Sequence, residues 1–96
     1  MAKYGTAKKP YDYLVELAQR HKALRKQAGF SQIELANRAG VSLGSLKRFE
    51  ATGQISLVSL LKLAELLQRL PDFDLLLKPV ENLEAIEQLF SDKTRG

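Results

Sequence analysis

The strongest constraint on the fold lies between Ser31 and Gly53, where residues that start helices and residues that end them alternate at close spacing. Ser31 followed three residues later by Glu34 is a capping box. The serine oxygen accepts from a free backbone N–H of the first turn, and the glutamate reaches back to the serine N–H. Ile33, Leu35, Ala36 and Ala39 give the helix that starts there an apolar side, and Gly40 can take the left-handed backbone that ends it without a Cβ clash. Val41 plugs the corner. Ser42 is a second N-cap, and a helix from about Leu43 to Ala51 sets Leu46, Phe49 and Glu50 on one side and Leu43, Gly44, Lys47 and Arg48 on the other. Gly53 closes it. Two short helices joined by a tight turn are expected.

An αα-hairpin that only packs has the same punctuation. The outward face separates the two readings. A second helix that served packing alone has no need to show Lys47, Arg48 and a side-chain-free Gly44 to solvent beside Ser42 and Ser45. A helix that enters the major groove of double-stranded DNA does need small residues where backbones approach and long donors where base edges lie.

Ninety-six residues, 45% hydrophobic and 27% charged, suit one small soluble domain with one core. There is no cysteine and a single histidine, which excludes a disulfide framework, a thiolate metal site and a histidine-built zinc site. With no Gly-rich phosphate loop and no inward-facing carboxylate pair either, nothing is available on which to build a reaction, so no enzyme, metal or cofactor is expected. Met1-Ala2-Lys3-Tyr4-Gly5 lacks the apolar region of a signal peptide, and no apolar run approaches the ~18 residues of a membrane span. A cytoplasmic protein, on the nucleoid when bound to DNA, is expected. The net charge of +4 is unevenly spread: residues 1–53 carry +6 and residues 54–96 carry −2. Such a molecule presents one side to phosphates and keeps the other for protein contacts.

Lys3, Lys8, Lys9 and Gly5 make residues 1–9 a flexible basic arm. A first helix starts between Pro10 and Asp12, with Pro10 suited to the first helical position and Asp12 to a cap, and runs to about Ala28, before Gly29. Leu14, Leu17, Ala18, His21, Leu24 and Ala28 form its burying face. His21 on that stripe reads as a core or boundary histidine. Arg25 lies close to the same face and, if desolvated, needs a carboxylate; Glu50 is the candidate.

Past the loop Thr52-Gly53-Gln54-Ile55, Ser56 caps a fourth helix whose inward residues are Leu57, Leu60, Leu61, Ala64 and Leu67. Leu63 and Leu66 leave it leucine-rich nearly all round, so it needs cover on more than one side, from its own domain or another subunit. Pro71 stops it. Asp72 to Pro79 is read as a further short helix capped by Asp72, although a short strand fits its four apolar residues equally. After Pro79, Val80, Leu83, Ile86, Leu89 and Phe90 keep helical spacing opposite Glu81, Glu84, Glu87 and Asp92, and residues 93–96 fray. The expected organisation is all-α, with residues 10–79 as the domain and 80–96 as an amphipathic helical tail.

From Leu24 to about Leu67 the chain resembles the Xre/Cro-type helix-turn-helix family, whose members share a five-helix, lambda-repressor-like DNA-binding domain. The residues that carry the likeness are Arg25, Phe30-Ser31-Gln32, Leu35-Ala36, Gly40-Val41-Ser42, Leu46, Phe49-Glu50, Gly53, Leu60, Leu63-Ala64 and Leu67, in that order. The resemblance implies that Gln32 holds a DNA phosphate and braces the reading helix, in keeping with the anion preference of a helix N-terminus. It implies base reading by Ser42, Leu43, Gly44, Lys47 and Arg48, a backbone contact from Ser45, and a structural ion pair between Arg25 and Glu50. Two departures are visible. Leu43 and Gly44 stand where polar readers are usual, which leaves Leu43 for a thymine methyl and Lys47 or Arg48 for guanine, each good contact contributing ~1–3 kcal/mol of discrimination. The proline common at the start of the fourth helix is absent.

Members of the family bind as two-fold dimers with reading helices about 34 Å apart, hence on near-palindromic operators. The surface this implies here is Phe73, Leu75, Leu76 and Leu77, extended by Leu83, Ile86, Leu89 and Phe90, for a second copy or another partner; packing of that segment on its own core is the alternative. Small members with a leucine-rich end and a short tail are also similar to antitoxins that repress their own operon and restrain a HipA-like kinase toxin. The implied function is a dimeric transcriptional repressor, on the finer reading such an antitoxin. A helix-turn-helix used only for protein contacts is the rival, and it predicts no salt-dependent DNA binding.

Overall fold

A computed structural model describes residues 7–91. They form five α-helices, α1 (Pro10–Gln27), α2 (Gln32–Ala39), α3 (Leu43–Thr52), α4 (Leu57–Leu66) and α5 (Leu83–Leu89), with a 3-10 turn at Leu70–Phe73 between the last two. No strand occurs among the described residues, so the chain is all-α. The fifth α-helix lies in the segment read from sequence as the tail.

Each boundary has a local cause. Pro10 opens α1, and the Lys9 backbone N–H donates to Asp12 Oδ2 at 2.8 Å, so Asp12 acts from inside the first turn and is not itself the cap. At α2 both arms of the capping box are present, Glu34 N–H to Ser31 Oγ and Ser31 N–H to Glu34 Oε1, each 3.1 Å. Gly40 at φ 73° ends that helix, and the Val41 N–H turns back to the Ala36 carbonyl. Ser42 and Ser56 cap α3 and α4 by accepting from Ser45 N–H and Ser59 N–H.

Gly53 ends α3 at φ 83° and has a second reason to be glycine: a Cβ there would stand 2.6 Å from both Cβ and the carbonyl oxygen of Leu14. The end of α3 touches α1 at this point. Leu35, Leu46, Phe49 and Leu63 are the largest fully buried side chains, and with Ala36 and Val41 they bind α2, α3 and α4 into one core. Burial of such a side chain contributes roughly 1.5–3 kcal/mol.

Several expectations are corrected. On α1 only Ala18, His21 and Arg25 are buried; Leu14 and Leu17 remain 38% and 37% exposed and Ala28 is exposed. An 18-residue helix spans about 27 Å, whereas α2 to α4 have eight to ten residues and span about 12–15 Å, so α1 outreaches its cover. Ile33 is exposed in the first turn of α2, where Leu35 and Ala36 point inward.

On α4 the inward stripe is Leu60, Leu63, Ala64 and Leu67; Leu57 is 60% exposed and Leu63 is fully buried. Nor does Pro71 stop α4. The helix ends at Leu66, where Gln68 takes a φ of 61° and the Arg69 N–H returns to the Ala64 carbonyl at 2.7 Å. Pro71 instead opens the 3-10 turn, which starts ahead of Asp72, so Asp72 is within its first turn and not its cap.

Candidate nucleic-acid interface

α3 is held from below by Leu46 and Phe49, both fully buried, and that anchoring decides what it shows above. Ser42, Gly44, Lys47 and Arg48 are exposed, and Ser45 and Leu43 are half-buried, Leu43 with part of its surface against the core. The space around Gly44 is open: a Cβ there would meet nothing within 4 Å, and its backbone is not in the left-handed region. Glycine in a helix interior costs about 0.8–1 kcal/mol relative to alanine. Nothing inside the chain requires that cost at Gly44, whereas a surface approached closely by another molecule does.

The polar groups beside it are ordered. Ser42 Oγ accepts from the Ser45 backbone and donates to Ser45 Oγ at 2.8 Å, which leaves the Ser45 hydroxyl proton free to donate outward. Arg48 is oriented by a residue the sequence reading did not single out: Nε and Nη2 both donate to Gln54 Oε1, at 3.2 and 2.7 Å. The Gln54 N–H in turn donates to Thr52 Oγ1, whose hydroxyl donates to the Arg48 carbonyl. The left-handed turn at Gly53 folds Gln54 back toward α3; the only sequence signal for this is a glutamine directly after a helix-ending glycine. Ser45, Arg48, Gln54, Ile55, Ser56 and Ser59 line an open recess of about 300 Å³ between α3 and the start of α4.

Beneath this face lies a buried ionic centre. Arg25 clamps Glu50 in bidentate fashion, Nε to Oε2 and Nη2 to Oε1, both 2.9 Å, and its Nη1 donates to the Phe30 carbonyl at 2.8 Å. Gln32 Nε2 donates to Glu50 Oε1 at 3.0 Å, and His21 Nδ1 lies 2.8 Å from Oε2. Three side chains, His21 and Arg25 from α1 and Gln32 from α2, therefore meet at the Glu50 carboxylate of α3, whose side chain is only 3% exposed. Burial alone would raise the Glu50 carboxyl, but the hydrogen bonds from Arg25, Gln32 and His21 outweigh it and hold it below its ordinary range. Burial depresses His21 despite the pull of Glu50. The imidazole is thus neutral, with Nδ1–H donating to the carboxylate. Its Nε2, buried without a partner, carries the lone pair, and its ring stands edge-on to Phe49 at 5.0 Å.

Other sequence-selected residues lie elsewhere. Lys8 is tied to Glu16 at 2.9 Å and lies over the Tyr13 ring, and Lys9 caps α1, so this part of the basic arm is fixed to α1; Lys3 lies outside the described residues. Phe73 and Ile86 are half-buried, and Leu75, Leu76, Leu77, Leu83, Leu89 and Phe90 are exposed, all in the C-terminal segment that follows α4. Among the described residues no group of His, Asp or Glu could hold a metal ion, and no helix is long and apolar enough to cross a membrane.

A helix-turn-helix family model of the Xre/Cro type matches residues 22–73, more than half of the chain, from the second half of α1 through the 3-10 turn. The chain belongs to the Xre/Cro-type helix-turn-helix family. In this family the chain is a DNA-binding regulator, with α2 and α3 as the two helices of the motif and α3 as the exposed second one. No curated protein and no solved structure matches it.

Proposed function

We propose that this protein is a sequence-specific transcriptional repressor that binds a near-palindromic operator as a homodimer, with α3 in the major groove. The open face at Gly44, flanked by exposed Lys47 and Arg48 on a helix anchored by Leu46 and Phe49, carries the reading. Gly44 and the exposed part of Leu43 let α3 approach the bases, Leu43 toward a thymine methyl. Gln54 holds one side of the Arg48 guanidinium and leaves Nη1 for guanine or phosphate, and Lys47 supplies a second donor. Ser42 belongs to the same face through Ser45, whose free hydroxyl, with the serine-lined recess and the N-terminus of α2 at Gln32, serves backbone phosphates. Residues 10–79 carry DNA binding and residues 80–96 carry protein contacts, in a cytoplasmic protein located on the nucleoid. On the finer reading, in which the operon also encodes a HipA-like kinase, the same chain restrains that kinase through its C-terminal end. The exposed leucines there support that end as a contact surface.

In vitro selection on random duplex DNA tests the proposal, with the wild type beside Lys47→Ala and Arg48→Ala and the winners' affinities taken at two salt concentrations. The expected result is a palindrome with half-sites about one helical turn apart, lost in Arg48→Ala. Weak, uniformly salt-sensitive binding with nothing enriched would overturn it and leave a protein-interaction module.

A further inference from the structure

Arg48 is held differently from the cations that form ion pairs. Lys8, Arg20, Arg25 and Arg69 each meet a carboxylate, which offsets their charge. Arg48 meets the neutral amide of Gln54, so its side chain is fixed while its charge is kept. The bracket is itself held. The Gln54 N–H donates to Thr52 Oγ1 at 3.1 Å, the Thr52 hydroxyl donates to the Arg48 carbonyl at 2.7 Å, and Gly53 between Thr52 and Gln54 lies in the left-handed region against Leu14. Gln54 Oε1 takes the Nε–H and one Nη2–H, which occupies one edge of the planar guanidinium. The next edge, formed by Nη1 and the second Nη2–H, has no partner among the described residues, on a side chain that is exposed.

We infer, on the DNA-reading role proposed for α3, that Gln54 determines specificity: by holding the Nε–Nη2 edge it turns the Nη1–Nη2 edge of Arg48 into a fixed two-pronged donor that selects guanine at one position of each half-site. Guanine offers two acceptors, O6 and N7, to the major groove, whereas adenine sets an amino donor beside its N7. Arg48 lies one turn from Gly44, where the missing side chain lets another molecule come close. A freely rotating arginine there is satisfied as well by the nearest phosphate, which carries no sequence information. A bracketed one does not swing away, and part of its rotamer freedom is already lost on folding, so less is lost on binding. A carboxylate at position 54 would hold the arginine equally but remove a charge that attracts DNA. Glutamine holds it without that loss.

Competition binding tests it, on the operator selected by the wild type and on its single-base substitutions. The proteins are the wild type, Gln54→Ala, Gln54→Glu, Arg48→Ala and the double alanine variant, each with a urea midpoint to confirm its fold. The wild type should prefer guanine over adenine at one position of each half-site by roughly 10-fold or more, and Gln54→Ala should shrink that preference to about 3-fold or less. Its preferences elsewhere and its salt slope should stay as in the wild type, since the Arg48 charge remains. Added to Arg48→Ala, Gln54→Ala should change nothing further, because it acts through Arg48. Gln54→Glu keeps the acceptor and should keep the guanine choice, while binding all sequences more weakly with a salt slope smaller by about 1. A Gln54→Ala protein with the full guanine preference, or one that loses preference at every position alike, overturns the inference and leaves α3 as the reading helix. So does an Arg48→Ala protein weakened equally on all sequences, which makes Arg48 a phosphate contact. A wild type that selects no sequence overturns the reading role of α3 and the inference with it.

Discussion

α3 and α5 begin alike and end differently. Each is short, each starts at a side-chain oxygen that accepts a backbone N–H three residues on, Ser42 from Ser45 and Asn82 from Ala85, both at 3.1 Å, and each has apolar residues at helical spacing. Yet α3 buries Leu46 and Phe49 completely and has Glu50 tied to two other helices, whereas α5 buries nothing. Caps set where a helix starts; packing of an apolar face sets whether it stays. α3 thus holds its exposed side chains in a fixed frame, and α5 has no such anchor among the described residues.

The severest way to break this contrast is to remove the centre that anchors α3. Glu50→Ala leaves the buried Arg25 without its carboxylate, with only the Phe30 carbonyl still accepting from it, and is expected to cost ~3–5 kcal/mol by urea denaturation, enough to unfold much of a marginal domain. A loss below about 1 kcal/mol, the size of an exposed pair, would mean that the centre does not hold α3. Gly53→Ala comes next. Its Cβ meets the Leu14 backbone in a left-handed position, so at least ~1–3 kcal/mol is expected from backbone strain before the clash is counted. A Gly53→Ala protein as stable as wild type would show that α1 and α3 are not pressed together there.

The pH dependence sharpens the contrast at a smaller scale. His21 is depressed in the fold by burial, so the unfolded chain takes up a proton near pH 6.5 that the folded chain refuses. Its contribution to stability is complete above that pH and falls as the pH drops from there toward the lower folded value. Glu50, held below its ordinary range, contributes stability above about pH 4.5 that is lost further down, as the pH falls through its folded pKa. Denaturation midpoints should therefore hold from pH 8 to about pH 6.5 and decline from there toward pH 5, and His21→Gln should flatten that decline; an unchanged slope refutes the assignment of a neutral, buried imidazole.

Gly44→Ala separates the two demands on α3. It is expected to raise stability by about 0.5–1 kcal/mol and to weaken binding to the selected operator, because the added methyl meets nothing in the chain but stands on the reading face. Tighter or unchanged DNA binding would remove Gly44 from that face. The smallest effect belongs to the other helix: ending the chain at Pro79 should change the stability of α1 to α4, measured at a concentration where the protein is monomeric, by less than ~0.5 kcal/mol, the scale of surface changes. A larger loss would place α5 on the core and erase the difference between the two helices.

What could be read without the structure is what is decided within a few residues. Ser31 with Glu34, Ser42, Ser56, Gly40 and Gly53 mark their boundaries because a cap is a hydrogen bond across three residues or one left-handed backbone, and its chemistry is complete in the local sequence. The outward side of α3 was legible for the same reason, since Leu46 and Phe49 leave one phase in which both are buried. On α4 the leucines fit more than one phase, and only the packing against α2 and α3 selects Leu63 over Leu57. The exposure of Leu14, Leu17 and Ile33 is likewise set by where the neighbouring helices lie, α3 meeting α1 at Leu14 through the side-chain-free Gly53 and so covering little of the leucine. The meeting of His21, Arg25 and Gln32 at Glu50 joins residues 18 to 29 positions apart, a contact that exists only once three helices have taken their crossing angles. Local chemistry thus determined where the helices begin and end; tertiary packing decided which faces are buried and which side chains meet, because both depend on relations between helices that no single helix contains.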